Sequence, residues 1–209
     1  HGKLIREMLS PIVKGQLLDI DRFSHAEASA GTVGCLPEGD ALDEYTYLVA
    51  GCVGAFWTDM CAMETRGFSR SFGPGEMRER GIRLGKGLQL INVLRDFPRD
   101  LAGGRCYLPA AEIEAAGIDP ADPGLRRLGK ELWPLWKPWM QRCWGHLDAG
   151  LEYLEDVQPR RLLLPTGLPL MLASKTLRRL EAASWSEIEQ RVKVSRGEVM
   201  QTTKELGLA

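Results

Sequence analysis

Apolar residues recur every three or four positions through most of this chain, and no stretch alternates apolar and polar residues over a strand's length. That period lines up one face of a helix. Over residues 3–23, Leu4, Ile5, Met8, Leu9, Ile12, Val13 and Leu17 follow it. Pro11 is expected to divide this helix, because it lacks an N–H and crowds the preceding turn. Ser, Gly, Pro and Asp cluster over 24–40, which reads mainly as loop or a broken helix end. A long, mostly buried helix is predicted over 41–66, with Asp40 able to cap it. A Ser/Gly/Pro loop follows over 67–78, and a central helix over 76–100. Ala110–Gly117 predicts a short helix closed by glycine, followed by two Asp-Pro turns. Residues 124–156 read as a long helix kinked or broken early by Pro134 and Pro138. Leu168–Ala182 reads as an apolar helix whose Arg178-Arg179 marks a solvated end, and Ser195 with Glu198 forms a capping box opening the last helix. The fold class expected is all-α: a single-domain bundle over 1–209, roughly seven to nine helices around a central apolar cavity.

The central helix carries the most distinctive pattern. Read at about 100° per residue, Gln89, Asn92, Asp96 and Asp100 share one stripe, while Leu84, Leu88, Ile91 and Leu94 occupy neighbouring faces. A carboxylate one turn from another, with amide oxygens a turn below, can present convergent ligands to a hard cation such as Mg²⁺. The plainer reading is a solvated face, with Arg95 and Arg99 forming surface pairs. Gly85 and Gly87 each cost about 1 kcal/mol in a helix relative to Ala, which points to close approach of another group. Pro98 is expected to kink the helix between the two aspartates. Tyr47, Ala50, Gly51 and Gly54 form a small-residue stripe interrupted by a ring. It can serve tight helix packing or make room for a ligand. The Trp residues at 133, 136, 139 and 144 read as packing, and His146 as structural or surface.

The text Gln89-Leu-Ile-Asn92-Val-Leu-Arg95-Asp96-Phe-Pro-Arg-Asp100, then Gly104-Arg105-Cys-Tyr107-Leu-Pro109, resembles the second aspartate-rich motif of the squalene/phytoene synthase family. Tyr45-Thr-Tyr-Leu-Val-Ala-Gly51-Cys-Val-Gly54 resembles its other signature, and Val194-Ser-Arg-Gly-Glu-Val199 the start of its C-terminal helix. The order and rough separation agree from about Lys14 onward. The resemblance implies a transferase that joins two prenyl diphosphates, farnesyl diphosphate expected, head to head through a cyclopropyl intermediate. It implies Asp96, Asp100 and Asn92 as holders of Mg²⁺, with Gln89 an auxiliary ligand or water anchor, and Arg105 as a diphosphate contact. It further implies Tyr107, Gly51 and Gly54 at the substrate, and Tyr45 near the reacting carbons as proton acceptor or cation stabiliser. Spacing alone leaves Tyr47 as the competing ring. NADPH enters if the product is squalene, and the tyrosine-signature text leans toward a C30 product. The alternative is a non-catalytic family member serving in assembly or lipid binding.

The family also carries a first aspartate-rich motif upstream, which nothing in 1–44 matches. Asp19 and Asp21 are too close together and lead into a loop. The sequence is therefore expected to lack its N-terminal helices and to be inactive alone. Charge and cysteine usage narrow the rest. Lys and Arg number 27 against 28 Asp and Glu, so no broad basic face invites nucleic acid. No run approaches the roughly 18 apolar residues of a membrane span, and contact with a membrane would be peripheral, at product release. Five scattered Cys without a CxxC pair suggest neither a disulfide framework nor a zinc ribbon, and a reduced cytoplasmic setting is expected.

Overall fold

The computed structural model describes residues 1–28 and 32–208; the part of the predicted 24–40 loop at 29–31 lies outside them. The chain is helical almost throughout. Helix α1 spans Gly2–Ala28, α2 Gly39–Thr46 and α3 Cys52–Glu64, with a π-helical turn at Tyr47–Gly51 joining the last two into one rod. Helix α4 spans Pro74–Ala102 and α5 Ala110–Ala115. After a 3₁₀ turn at Leu125–Arg127 come α6 (Gly129–Leu132), a second 3₁₀ turn (Trp133–Trp136) and α7 (Lys137–Asp156). Helices α8 (Arg160–Ala182), α9 (Trp185–Glu189) and α10 (Arg196–Leu208) complete it.

Pro11, expected to divide its helix, does not, and Pro98, expected to kink α4, sits within a continuous helix. Pro11 lies inside α1 and Pro98 inside α4, each within a helix that continues on both sides. One missing N–H is tolerated where the flanking turns are held by tertiary packing, and Leu94 and Phe97 beside Pro98 are buried to 0% and 2% exposure. Helix α8 likewise starts earlier than predicted and runs through Pro165 and Pro169. The break near Pro134 and Pro138 does occur, as the 3₁₀ turn before α7. Asp40 sits in the first turn of α2 rather than capping it; Glu38 occupies the cap position. The absence of strands also needs correcting. Gly34–Leu36 (β1) and Arg105–Pro109 (β2) form a two-stranded parallel ladder, with Cys35 opposite Cys106 and a bulge before Leu36.

Helix α4 is the hub, packed against α3, α7 and α8. Pro74 opens it, as suits a first-turn position, and the Glu76 carboxylate reaches back to accept from the Gly73 N–H at 2.9 Å. Glycine permits the closest crossing. A Cβ on Gly54 of α3 would overlap the Gly81 carbonyl oxygen, and one on Gly85 would overlap that of Ala50. Phe97 anchors the other end among Trp133, Trp136 and Trp185, with ring centroids 5.4–6.4 Å away. The capping box at α10 forms as predicted, with Ser195 Oγ donating to Glu198 at 2.7 Å. Arg179 is not at a free solvated end. It pairs with Glu198 at 2.6 Å and donates to the Lys193 carbonyl, tying α8 to α10. His146 is half-buried on α7 against Gly87, and burial lowers its pKa to about 4. Helix α1 divides its apolar residues. Phe23 is buried, whereas Ile5, Leu9, Val13, Leu17 and Ile20 are 41–62% exposed in one row. No helix among the described residues is long and apolar enough to cross a membrane.

Candidate functional site

Three elements converge on the polar stripe of α4. Helix α1 brings Asp19, α2 brings Tyr45, and β2 brings Arg105 and Tyr107 on alternate sides of Cys106. Tyr107 donates to Asp19 at 2.7 Å, and Arg105 pairs with the other oxygen of Asp19 at 3.1 Å. Tyr45 stacks on Tyr107 with centroids 4.9 Å apart and donates to its hydroxyl at 3.3 Å. The phenols therefore form a relay, Tyr45 to Tyr107 to Asp19. Burial raises the pKa of Tyr45 above the usual phenol value, its hydrogen bonds with Tyr107 and Gln89 opposing the rise and the Asp19 and Asp100 carboxylates adding to it. Burial and the neighbouring Tyr45 also push Tyr107 far up. Both rings are neutral phenols near neutral pH. Tyr47 lies elsewhere, lining a small recess with Leu4, Met8 and Arg78.

On α4, Asn92 donates to Gln89 at 3.4 Å. Asp96, with its side chain 12% exposed, is gripped by Arg95 at 2.8 Å, Arg191 at 2.9 Å and Arg99 at 3.8 Å. Burial alone would raise its pKa, but the hydrogen-bonded Arg95 and the other two guanidiniums outweigh that and hold it below the ordinary carboxylate value. Asp100 has the opposite balance. Burial raises its pKa and Asp96 adds to the rise, while Arg99 at 3.6 Å only partly offsets both. Arg191 makes its contact from a left-handed backbone, φ 65°, a conformation costly for any side chain but glycine.

These donors bear on a hard cation. Asp100, whose charge Arg99 only partly offsets, lies on the same stripe of α4 as Asn92 and Gln89, about two and three helical turns away. Asp96 is largely taken by arginines, and no group of three or more His, Cys, Asp or Glu suited to a metal occurs among the described residues. The donor chemistry fits Mg²⁺ only as a sparse set completed by water and phosphate oxygens, which is how that ion usually binds.

Beside the N-terminal half of α4 lies a cavity of about 330 Å³, walled by α3, α4, α7 and α8. Val53, Trp57, Leu84 and Leu88 give it an apolar surface, and Gly54 lines it as well as packing on Gly81. Gly51 is not on its wall; it abuts Tyr47 and Lys86. Arg105, expected at diphosphate, is engaged by Asp19. Sequence reading missed Asp19 and Arg191. Asp19 lies four residues from both Gly15 and Phe23, on the face of α1 that the structure buries. Arg191 follows α9 in an irregular turn and offered no signal.

Comparison with known proteins adds three findings. A profile of the squalene/phytoene synthase family matches residues 1–198. Presqualene diphosphate synthase of Zymomonas mobilis is 30% identical over 163 residues, which is 75% of this chain and 50% of that protein. That of Sinorhizobium fredii is 34% identical over 77% of this chain and 50% of its own length. The 15-cis-phytoene synthase of Synechocystis is 27% identical over 74% and 47%. The chain thus spans about half the length of the curated relatives it matches. Among solved structures, a dehydrosqualene synthase superposes with TM-score 0.65 at 21% identity, over 95% of this chain and 63% of its own. A squalene synthase from Alicyclobacillus acidocaldarius does so at 0.64 and 19%, over 84% and 59%. At such identities the likeness speaks for the fold.

Proposed function

The chain belongs to the squalene/phytoene synthase family, and from that premise we propose that it condenses two prenyl diphosphates head to head, farnesyl diphosphate first among them, releasing diphosphate. The observation that carries this reading is the juxtaposition on one helix. Residues 81–88 of α4 border an apolar cavity, and residues 89–100 carry the amides and carboxylates. An allylic tail and its charged head need those two environments end to end.

Asp96, Asp100 and Asn92 are the residues that would hold Mg²⁺, with Gln89 anchoring water; Mg²⁺ when bound supplies Lewis-acid neutralisation of the leaving diphosphate. Arg105, held by Asp19, offers further hydrogen bonds to phosphate oxygens. Tyr45 serves through its ring rather than as a base, because its raised pKa keeps the phenol protonated, and a ring face attracts a carbocation. The apolar wall keeps water from quenching that cation. NADPH is the reductant this reading requires if squalene is the product. The exposed row on α1 supports peripheral contact with a membrane, in a cytoplasmic setting. One observation favours the non-catalytic, lipid-binding alternative: three arginines already occupy Asp96.

The test is incubation of the full-length protein with farnesyl or geranylgeranyl diphosphate and Mg²⁺, with and without NADPH, followed by analysis of diphosphate and extracted isoprenoids. A C30 or C40 product that disappears without Mg²⁺ is expected. Binding of the prenyl diphosphate with no turnover would favour the alternative.

A further inference from the structure

Strands β1 and β2 place two cysteines directly opposite each other. Cys35 and Cys106 are register partners in the parallel ladder, so their side chains leave the same face. Neighbouring strands lie about 4.7–4.9 Å apart, inside the window of about 4.4–6.8 Å between Cα atoms that a disulfide accepts. Cys106 is fully buried and Cys35 only partly, so an oxidant can reach one sulfur while the other waits behind it. We propose that Cys35 and Cys106 are a reversible redox modification site, closed to a disulfide by a peroxide.

The chemistry balances in two steps. The Cys35 thiolate attacks one oxygen of hydrogen peroxide, breaking the O–O bond, and with one proton gives a sulfenic acid and water. The Cys106 sulfur then displaces the sulfenic hydroxyl, forming the S–S bond and losing its proton as the second water leaves. Overall two thiols lose two electrons and two protons, and one peroxide becomes two waters. The local electrostatics suit this order. The neighbouring Cys106 thiol lowers the pKa of Cys35 against its burial, while Cys106 itself is pushed well up. The other three cysteines sit apart. Cys52 donates to the Leu48 carbonyl and Cys143 to that of Gly87, and burial raises the pKa of both and of Cys61.

Closure has a structural consequence. Cys106 lies between Arg105 and Tyr107, so the bond would fasten the strand bearing both residues to β1. The proposal stands apart from the proposed reaction and can be tested without turnover. The protein is exposed to graded hydrogen peroxide, denatured, alkylated and weighed, then digested to locate linked peptides. Reactive thiols are expected to fall from five to three, with a Cys35–Cys106 link, a mass lower by about two hydrogens, and reversal by dithiothreitol. Thermal denaturation should shift upward in the oxidised form, because the link constrains the unfolded chain. Cys35→Ser, at the less buried position, should abolish both changes, and Cys106→Ala provides a second removal without adding a buried hydroxyl. Retention of five thiols, linkage of another pair, or oxidation of Cys35 to sulfinic acid without a link would each overturn the proposal.

Discussion

Arg191 couples a strained backbone to a partly buried carboxylate, and the two effects can be separated by substitution. Its φ of 65° costs a side-chain-bearing residue about 1–2 kcal/mol. Its guanidinium contacts Asp96 at 2.9 and 3.4 Å. Hydrogen bonds to charged groups contribute about 1.5–3 kcal/mol when well buried. Arg191 is 41% exposed along its side chain, so solvent screening reduces this to about 1 kcal/mol. Arg191→Ala removes the contact and keeps the strain, and should lose about 1 kcal/mol. Arg191→Gly removes the same contact but relieves the strain, less about 0.5–1 kcal/mol for glycine's freer unfolded chain. Glycine should therefore be more stable than alanine by about 0.5–1 kcal/mol, and close to the parent protein. Urea denaturation reads this directly, as midpoints that move while the slope stays fixed. Asp96→Asn should cost less in the Arg191→Gly background than in the parent, by a coupling of about 1 kcal/mol. Acid provides a second check. The folded pKa of Asp96 is lowered, so its contribution is complete above the unfolded value near 3.9 and disappears as pH falls through the folded value. The parent and Arg191→Ala should therefore converge in stability at the acid end. Equal stability of the Ala and Gly variants, or an Asp96→Asn penalty independent of residue 191, would refute this account.

Three further expectations follow from the same geometry. Asp100→Asn should leave stability unchanged or slightly raised, since burial disfavours its charge, yet lower Mg²⁺-dependent turnover about a hundredfold, equivalent to roughly 3 kcal/mol in the transition state; unchanged turnover in the folded variant removes Asp100 from the metal set. Tyr45→Phe keeps the ring and should retain activity within about tenfold, whereas Tyr45→Leu should lose at least a hundredfold, about 2.7 kcal/mol; equal loss in both variants would show that the hydroxyl does the work. Gly54→Ala should destabilise by about 1–3 kcal/mol or more through overpacking against Gly81, while Gly75→Ala, with nothing near its added Cβ, should stabilise by a few tenths to about 1 kcal/mol; a tolerated Gly54→Ala would mean that α3 and α4 can separate freely.

The helices and the polar stripe were legible because both depend on a period written in the chain. Gln89, Asn92, Asp96 and Asp100 needed only the 3.6-residue turn to align. What escaped depends on contacts between distant segments. Pro11 looks like a break locally, yet α1 continues through it, and Pro98 sits in a helix whose neighbouring turns are packed. β1 is three residues long and acquires a ladder only because β2 returns beside it, so no alternating pattern could reveal either. Asp19 looked like half of a failed local motif, whereas its partners, Arg105 and Tyr107, are more than 80 residues away. The apolar residues of α1 share a helical period, but periodicity could not say that Phe23 is buried and Ile20 exposed.

The π-helical turn at Tyr47–Gly51 makes chain length itself a determinant of this site. Tyr45 and Gly54 are nine residues apart, which in a regular helix is about 900°, placing them on opposite sides. A π turn absorbs one extra residue without advancing the α register, which reduces the effective separation by about 100°. The phenol near Asp19 and the glycine against Gly81 can thus both be served by one rod beside α4. A deletion of one residue here, Val49 for instance, would restore ordinary helix geometry and improve local hydrogen bonding. Eight regular steps are again about 800°, so this shortening would keep Tyr45 and Gly54 in phase; straightening the turn with all nine steps kept would instead swing Tyr45 about a quarter turn from Tyr107 or Gly54 out of its crossing with α4. The segment should therefore tolerate removal of one residue better than a further insertion, which would have to be absorbed in its turn to keep the two halves of the rod in phase.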